Sequence, residues 1–112
     1  MERTPDIVKG TLDLLVLKAL SWGPAHGYAV ARWIEGATDD LLAVGEGTLY
    51  PALHRLEERG LVTAKWGASE NNRRAKYYEL TRQGRLRLQV EVASWERYAA
   101  AISAALVAPA LQ

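Results

Sequence analysis

The chain has 112 residues, a formal net charge of +1, 49% hydrophobic and 24% charged residues, and no cysteine. Those proportions describe one ordinary globular domain, and the missing thiols exclude a disulfide framework and thiolate metal sites. The small net charge conceals an asymmetry: residues 1–60 hold six Lys/Arg against nine Asp/Glu, while residues 61–112 hold eight against four. Any anion-binding footprint is therefore expected in the second half, where Lys65–Arg87 is the densest basic stretch.

Taken from the start, Thr4-Pro5-Asp6 predicts the beginning of a helix, since proline is tolerated at the first helical position. From Ile7 to Leu20 the apolar residues are dense: Leu12, Leu15, Val16, Ala19 and Leu20 make one face and Leu14 and Leu17 a second. Ser21-Trp22-Gly23-Pro24 ends this helix, with Trp22 expected to pack over the turn. Glu2 and Asp6 near the start, and Asp13 and Lys18 within Leu12–Leu20, argue against a signal peptide. The apolar tail Ala99–Leu111 is too short to span a bilayer, so the expectation is a soluble, cytoplasmic protein with no membrane partner.

His26-Gly27-Tyr28 opens a second helix to about Ala37, with Val30, Ala31 and Ile34 inward, before the weakening cluster Thr38-Asp39-Asp40. Leu41–Val44 is an apolar connector. A third helix follows, with Leu49, Ala52, Leu53 and Leu56 on one face and Gly60 as the left-handed residue that stops it. Pro51 falls inside it. Because Glu46 suits a first turn, a helix that starts at Gly45 and bends at its second turn is preferred to one that begins near Thr48. Opposite the apolar face lie Thr48, Tyr50, Pro51, His54 and Arg55, which are donors, flat rings and a cation suited to entering a DNA major groove by the helix N-terminus.

After Gly60 the period changes to two. Val62, Ala64 and Trp66 alternate with Thr63 and Lys65, and Ala75–Leu80 has strand propensity with Tyr78 and Leu80 on one face. The intervening Gly67–Arg74 is turn chemistry, and Arg73, Arg74 and Lys76 crowd the expected hairpin tip, where they would neutralise phosphates or reach into an adjacent minor groove. Three helices and a hairpin predict a mainly α (α+β) fold, a winged helix-turn-helix over residues 1–80 with a two-stranded β-wing. Thr81 then caps a long C-terminal helix within residues 81–112. Its residues Leu88, Val92, Trp95, Ala99, Ile102 and Leu106 recur at 4, 3, 4, 3, 4, a heptad seam that predicts self-association. A second stripe, Leu86, Val90 and Ala93, is expected to face the first helix.

Enzymatic readings fail on spacing. Neither His26 nor His54 belongs to a set of Cys, His and carboxylate residues at metal-ligand spacing, and Gly45-Glu46-Gly47 lacks the third glycine of a dinucleotide fingerprint. No catalytic residue, metal or cofactor is expected.

Several separated motifs agree in order. Gly47-Thr48-Leu49-Tyr50-Pro51-x-Leu53-x-Arg55-Leu56-Glu57-x-x-Gly60-Leu61 resembles the recognition helix of PadR-type transcriptional regulators. His26-Gly27-Tyr28, Arg74-x-Lys76-Tyr77-Tyr78-x-Leu80-Thr81 and Gly84 match further family positions. The resemblance covers about residues 9–108 and points to the compact branch with a single C-terminal dimerisation helix. It implies a homodimeric repressor on a palindromic double-stranded operator, released by a small aromatic or drug-like effector held between subunits near Trp95. It also implies DNA contacts from Tyr28, Thr48, Tyr50, Pro51 and Arg55 and from the wing residues Arg73, Arg74 and Lys76. His54 lies on the same face with an open role, Tyr77 and Tyr78 are expected to position the wing, and Gly84 is expected to serve close helix packing. The alternative is a dimeric ligand- or protein-binding module that keeps this fold without binding DNA.

Overall fold

A computed structural model describes residues 10–111. The elements run α1 (Thr11–Leu20), β1 (Ala25–His26), α2 (Gly27–Ala37), α3 (Glu46–Glu58), β2 (Val62–Ala68), β3 (Arg74–Leu80) and α4 (Arg82–Leu106). The three strands form one antiparallel sheet of order β1-β3-β2. This is the expected winged helix-turn-helix, with a third, two-residue strand added to the hairpin.

One core joins the helices to the inner face of the sheet. Leu12, Val16, Leu17 and Leu20 of α1, Val30 and Ile34 of α2, and Leu49, Ala52, Leu53 and Leu56 of α3 pack with Val62, Tyr78 and Leu80. Burying each of these larger aliphatic side chains is worth roughly 1.5–3 kcal/mol, which is what holds three short helices in one arrangement. Gly10 stands at φ 89°, in the left-handed region, so α1 begins at Thr11; the start expected at Thr4–Asp6 lies outside the described residues. Trp22 does not cover the turn. It is exposed, with the Lys18 ammonium 4.9 Å from its ring centre.

The boundaries of α3 follow from local chemistry. It starts at Glu46, which occupies the first turn as expected, and the Gly45 carbonyl accepts from the Thr48 and Leu49 amides. At the other end Gly60 takes φ 74°. The Leu61 amide donates to the Leu56 carbonyl at 2.9 Å, and the Gly60 amide to the Glu57 carbonyl at 3.0 Å. Those two bonds make a complete Schellman stop, and it turns the chain directly into β2.

The rotation of α4 differs from expectation. Thr81 caps it, its hydroxyl accepting from the Gly84 amide at 3.0 Å and donating to the Gly60 carbonyl at 2.7 Å. Gly84 is buried against the Leu61 backbone, where a Cβ would collide with the carbonyl oxygen. Residues on Gly84's side of the helix therefore turn inward: Leu88 packs on the core, and Glu91 and Val92 are half-buried. Leu86, Val90 and Ala93, expected to meet α1, are instead exposed on the far side. Two stripes of similar apolarity were present, and a backbone contact at a glycine chose between them.

Candidate nucleic-acid interface

The outer face of α3 is built from the residues that cannot be buried once Leu49, Ala52, Leu53 and Leu56 enter the core. Thr48, Tyr50, Pro51, His54 and Arg55 are all exposed. At about 100° per residue, Pro51 and His54 point away from the core, Tyr50 falls on one flank, and Thr48 and Arg55 fall on the other. The flanks are held differently. Arg55 Nη2 lies 3.3 Å from Asp13 Oδ1 of α1, and Arg59 Nη1 lies 3.9 Å from Oδ2 of the same carboxylate. His54 Nε2 is 3.2 Å from Glu58 Oε1 one turn along the helix.

Tyr50 leans the opposite way, over α2. Its ring sits so close to Gly27 that a Cβ there would fall 2.8 Å from the phenol oxygen. This glycine is needed for close approach rather than for unusual backbone angles. His26, beside it, pairs through its backbone with Tyr77 of β3 and uses Nδ1 to accept from the Ala29 amide at 3.2 Å, so it caps α2. Tyr28, in the first turn of α2, is exposed and lies 3.3 Å through its hydroxyl from Arg32 Nη1.

The wing extends the core-facing side of the sheet into solvent. In β2 and β3 the cross-strand partners Val62↔Leu80, Ala64↔Tyr78, Trp66↔Lys76 and Ala68↔Arg74 all lie on that side. The inner pairs enter the core, while the outer ones stand beside the exposed edge of α3. A groove of about 420 Å³ results, lined by Gly27, Tyr28, Tyr50, Trp66, Arg74 and Lys76, with Tyr78 at its base. Burial raises the Tyr78 phenol above its ordinary pKa, against the opposing pull of the nearby Lys76 charge.

The three wing cations are not clustered at the tip. Arg73 lies in the loop, where its amide donates to Ser69 Oγ at 3.3 Å. Arg74 begins β3, with its guanidinium carbon 4.5 Å from the centre of the Trp66 ring. Lys76 sits further in, half-buried, with Nζ 3.6 Å from Glu57 Oε1. Tyr77 faces the other side of the sheet, its hydroxyl donating to the Ala68 carbonyl at 3.0 Å and its ring meeting His26 edge-on. Trp66, Gly27 and Asp13 belong to this neighbourhood and were not assigned to the site from the sequence. Gly27 was marked there only by the His26-Gly27-Tyr28 motif, and Trp66 by its alternation with Val62 and Ala64, which put a large ring on the inner face beyond the reach of the core.

The seam residues of α4 divide between two surroundings. Leu88 is part of the chain's own packing, and Val92 and Ala99 are half-buried. Trp95, Ile102 and Leu106 are exposed, and Tyr98 joins them with its ring 6.2 Å from that of Trp95.

Among the described residues, no helix is long and apolar enough to cross a membrane, and no three His, Cys, Asp or Glu side chains could hold a metal ion. Residues 16–90 match the model of the transcriptional regulator PadR-like family. The chain belongs to that family. A transcriptional regulator from Clostridium thermocellum superposes with a TM-score of 0.77 at 32% identity, covering 85% of this chain and 92% of the other. A PadR family regulator from Eggerthella lenta gives 0.75 at 32%, covering 90% and 86%. An uncharacterised protein of Lysinibacillus sphaericus is 30% identical over 80% of this chain and 83% of its own length. The transcriptional regulator YqjI of Escherichia coli is 35% identical over 67% of this chain, a match that spans only 34% of that longer protein. The PadR-like fold is that of a DNA-binding transcription regulator, and members of the family are regulators rather than enzymes.

Proposed function

We propose that this chain is a homodimeric, cytoplasmic transcriptional repressor that binds a palindromic operator and is released by a small aromatic effector. The observation that carries the DNA reading is the shared groove. The reading flank of α3, through Tyr50, and the wing, through Arg74, open onto the same solvent-facing trough. A helix entering the major groove with Tyr50, Pro51, His54 and Arg55 foremost would set Arg73 and Arg74 against the neighbouring backbone. Thr48 would flank that edge, Tyr28 would approach the backbone from α2, and Lys76 would contribute charge from behind its pairing with Glu57. Dimerisation is supported by the exposed Trp95, Ile102 and Leu106, continuing from Val92 and Ala99 along a helix of 25 residues. A symmetric copy of that seam would present two reading heads to two half-sites. The large, flat Trp95 is the residue against which an aromatic effector would stack.

A gel shift against the promoter upstream of the protein's own gene, repeated over a salt series, tests this. Binding should weaken with a log–log slope of about −0.9 per phosphate neutralised. Absence of binding to any local promoter fragment at low salt would reject the DNA reading and favour a binding module that kept only the fold.

A further inference from the structure

Trp66 is a large ring left in solvent, 60% exposed, on the one side of the hairpin that faces the reading helix. Directly across the ladder from it is Lys76, and diagonally across is Arg74, whose guanidinium carbon lies 4.5 Å from the ring centre. Of the two cations on this side of the wing, Lys76 is drawn toward Glu57, whereas Arg74 has no acidic side chain within 4.0 Å among the described residues. Arg74 is therefore held by an aromatic face rather than by a carboxylate.

That difference matters for a group that has to meet an anion. A carboxylate partner neutralises a guanidinium and occupies its donors. A ring under its flat face attracts the cation while leaving the N–H groups around its edge free. Stacking also removes part of the side chain's rotamer freedom before any ligand arrives, so less is lost on binding. We propose that Trp66 is a positioning residue for DNA binding: it pre-orders the Arg74 guanidinium, edge outward, at the mouth of the groove shared with Tyr50. This rests on the DNA-binding reading above and assigns a task to a residue outside it. Trp66 acts through Arg74 and not by touching DNA itself.

A double-mutant cycle on Trp66 and Arg74 separates these possibilities, read by fluorescence anisotropy of a labelled duplex carrying the promoter of the protein's own gene. Circular dichroism confirms that each variant is folded. Trp66→Ala should weaken binding roughly three- to tenfold, the range expected for losing one cation–π contact. Trp66→Phe should restore affinity to within about twofold, whereas Trp66→Leu, apolar but without a π face, should not. With Arg74→Ala already present, Trp66→Ala should cost nothing further. If the two losses instead multiply, Trp66 meets DNA directly or acts elsewhere and the proposal is overturned; equal rescue by Leu and Phe overturns it too. Failure of the wild-type chain to bind any duplex rejects the DNA reading itself, an outcome distinct from binding with multiplicative losses.

Discussion

Helices α3 and α4 both bury one face and expose the other, yet what they expose is of opposite kinds. The outer face of α3 offers hydroxyls, a proline, an imidazole and a guanidinium, and its two basic side chains are held by carboxylates: Arg55 by Asp13 and His54 by Glu58. The outer half of α4 offers Trp95, Tyr98, Ile102 and Leu106, separated mainly by alanines. Amphipathic period is the same in both and so says nothing about the partner. Hydrogen-bonding capacity of the uncovered edge does: the first edge suits a hydrated polyanion, the second another apolar surface.

The largest expected effect lies on the α4 side. Trp95→Ala should weaken self-association by roughly 2–4 kcal/mol if this ring is a central anchor. Sedimentation equilibrium reads the change directly. A wild-type chain that sediments as a monomer at micromolar concentration would erase the contrast between the two helices, leaving α4 as an unexplained apolar projection. Next in size, Gly84→Ala forces a methyl group into the Leu61 carbonyl that sets the rotation of α4. Overpacking of this kind costs typically about 1–3 kcal/mol. Chemical denaturation should show that loss, and self-association should fall with it because Trp95 and Leu88 ride on the same helix.

These two residues also mark where the sequence was readable and where it was not. Caps and stops were legible because they are local. Gly60 and Thr81 each satisfy backbone groups within a few residues, and the structure uses both as expected. The rotation of α4 was not legible, because Leu86/Val90 and Leu88/Val92 are equally apolar and only the contact between Gly84 and the distant Leu61 decides between them. Strand β1 escaped for a related reason: two residues have no period, and Ala25–His26 is a strand only because Tyr77 and Tyr78 lie alongside. On the candidate site, the outward face of α3 could be read from helical spacing. The pairing of Lys76 with Glu57 and the seat of Tyr50 over Gly27 join separate elements, so spacing could not anticipate them.

Two changes on the α3 side should leave stability nearly untouched while altering DNA binding. Arg74→Ala should weaken specific and non-specific binding together and reduce the log–log salt slope by about 0.9, the signature of one lost phosphate contact. An unchanged slope would show that the wing guanidinium does not reach the backbone. Gly27→Ala should act differently. The new methyl meets the far end of the Tyr50 ring, a group able to swing aside, so thermal stability should hold while specific binding falls and non-specific binding does not. Equal loss of both would mean that Tyr50 contributes bulk rather than base discrimination.

The smallest effect, and the one most diagnostic of how α3 differs from α4, is expected at Asp13. Its carboxylate lies 3.3 Å from Arg55 and 3.9 Å from Arg59, with side chains 26%, 55% and 50% exposed, so solvent screens the pairs. Removing the charge by Asp13→Asn should cost less than about 1 kcal/mol of stability. For DNA the consequence has the opposite sign. One negative charge leaves the flank of the reading helix, and Arg55 gains freedom to seek any phosphate, so non-specific affinity should rise a few-fold. The tethered guanidinium was aimed, however, and an untethered one spends rotamer entropy to find the same base edge. The ratio of specific to non-specific affinity should therefore fall, measured by competition between a promoter duplex and a scrambled duplex at one salt concentration. An equal rise for both duplexes would mean that Asp13 only repels DNA. No change for either would place Arg55 away from the DNA and narrow the reading edge to Tyr50, Pro51 and His54.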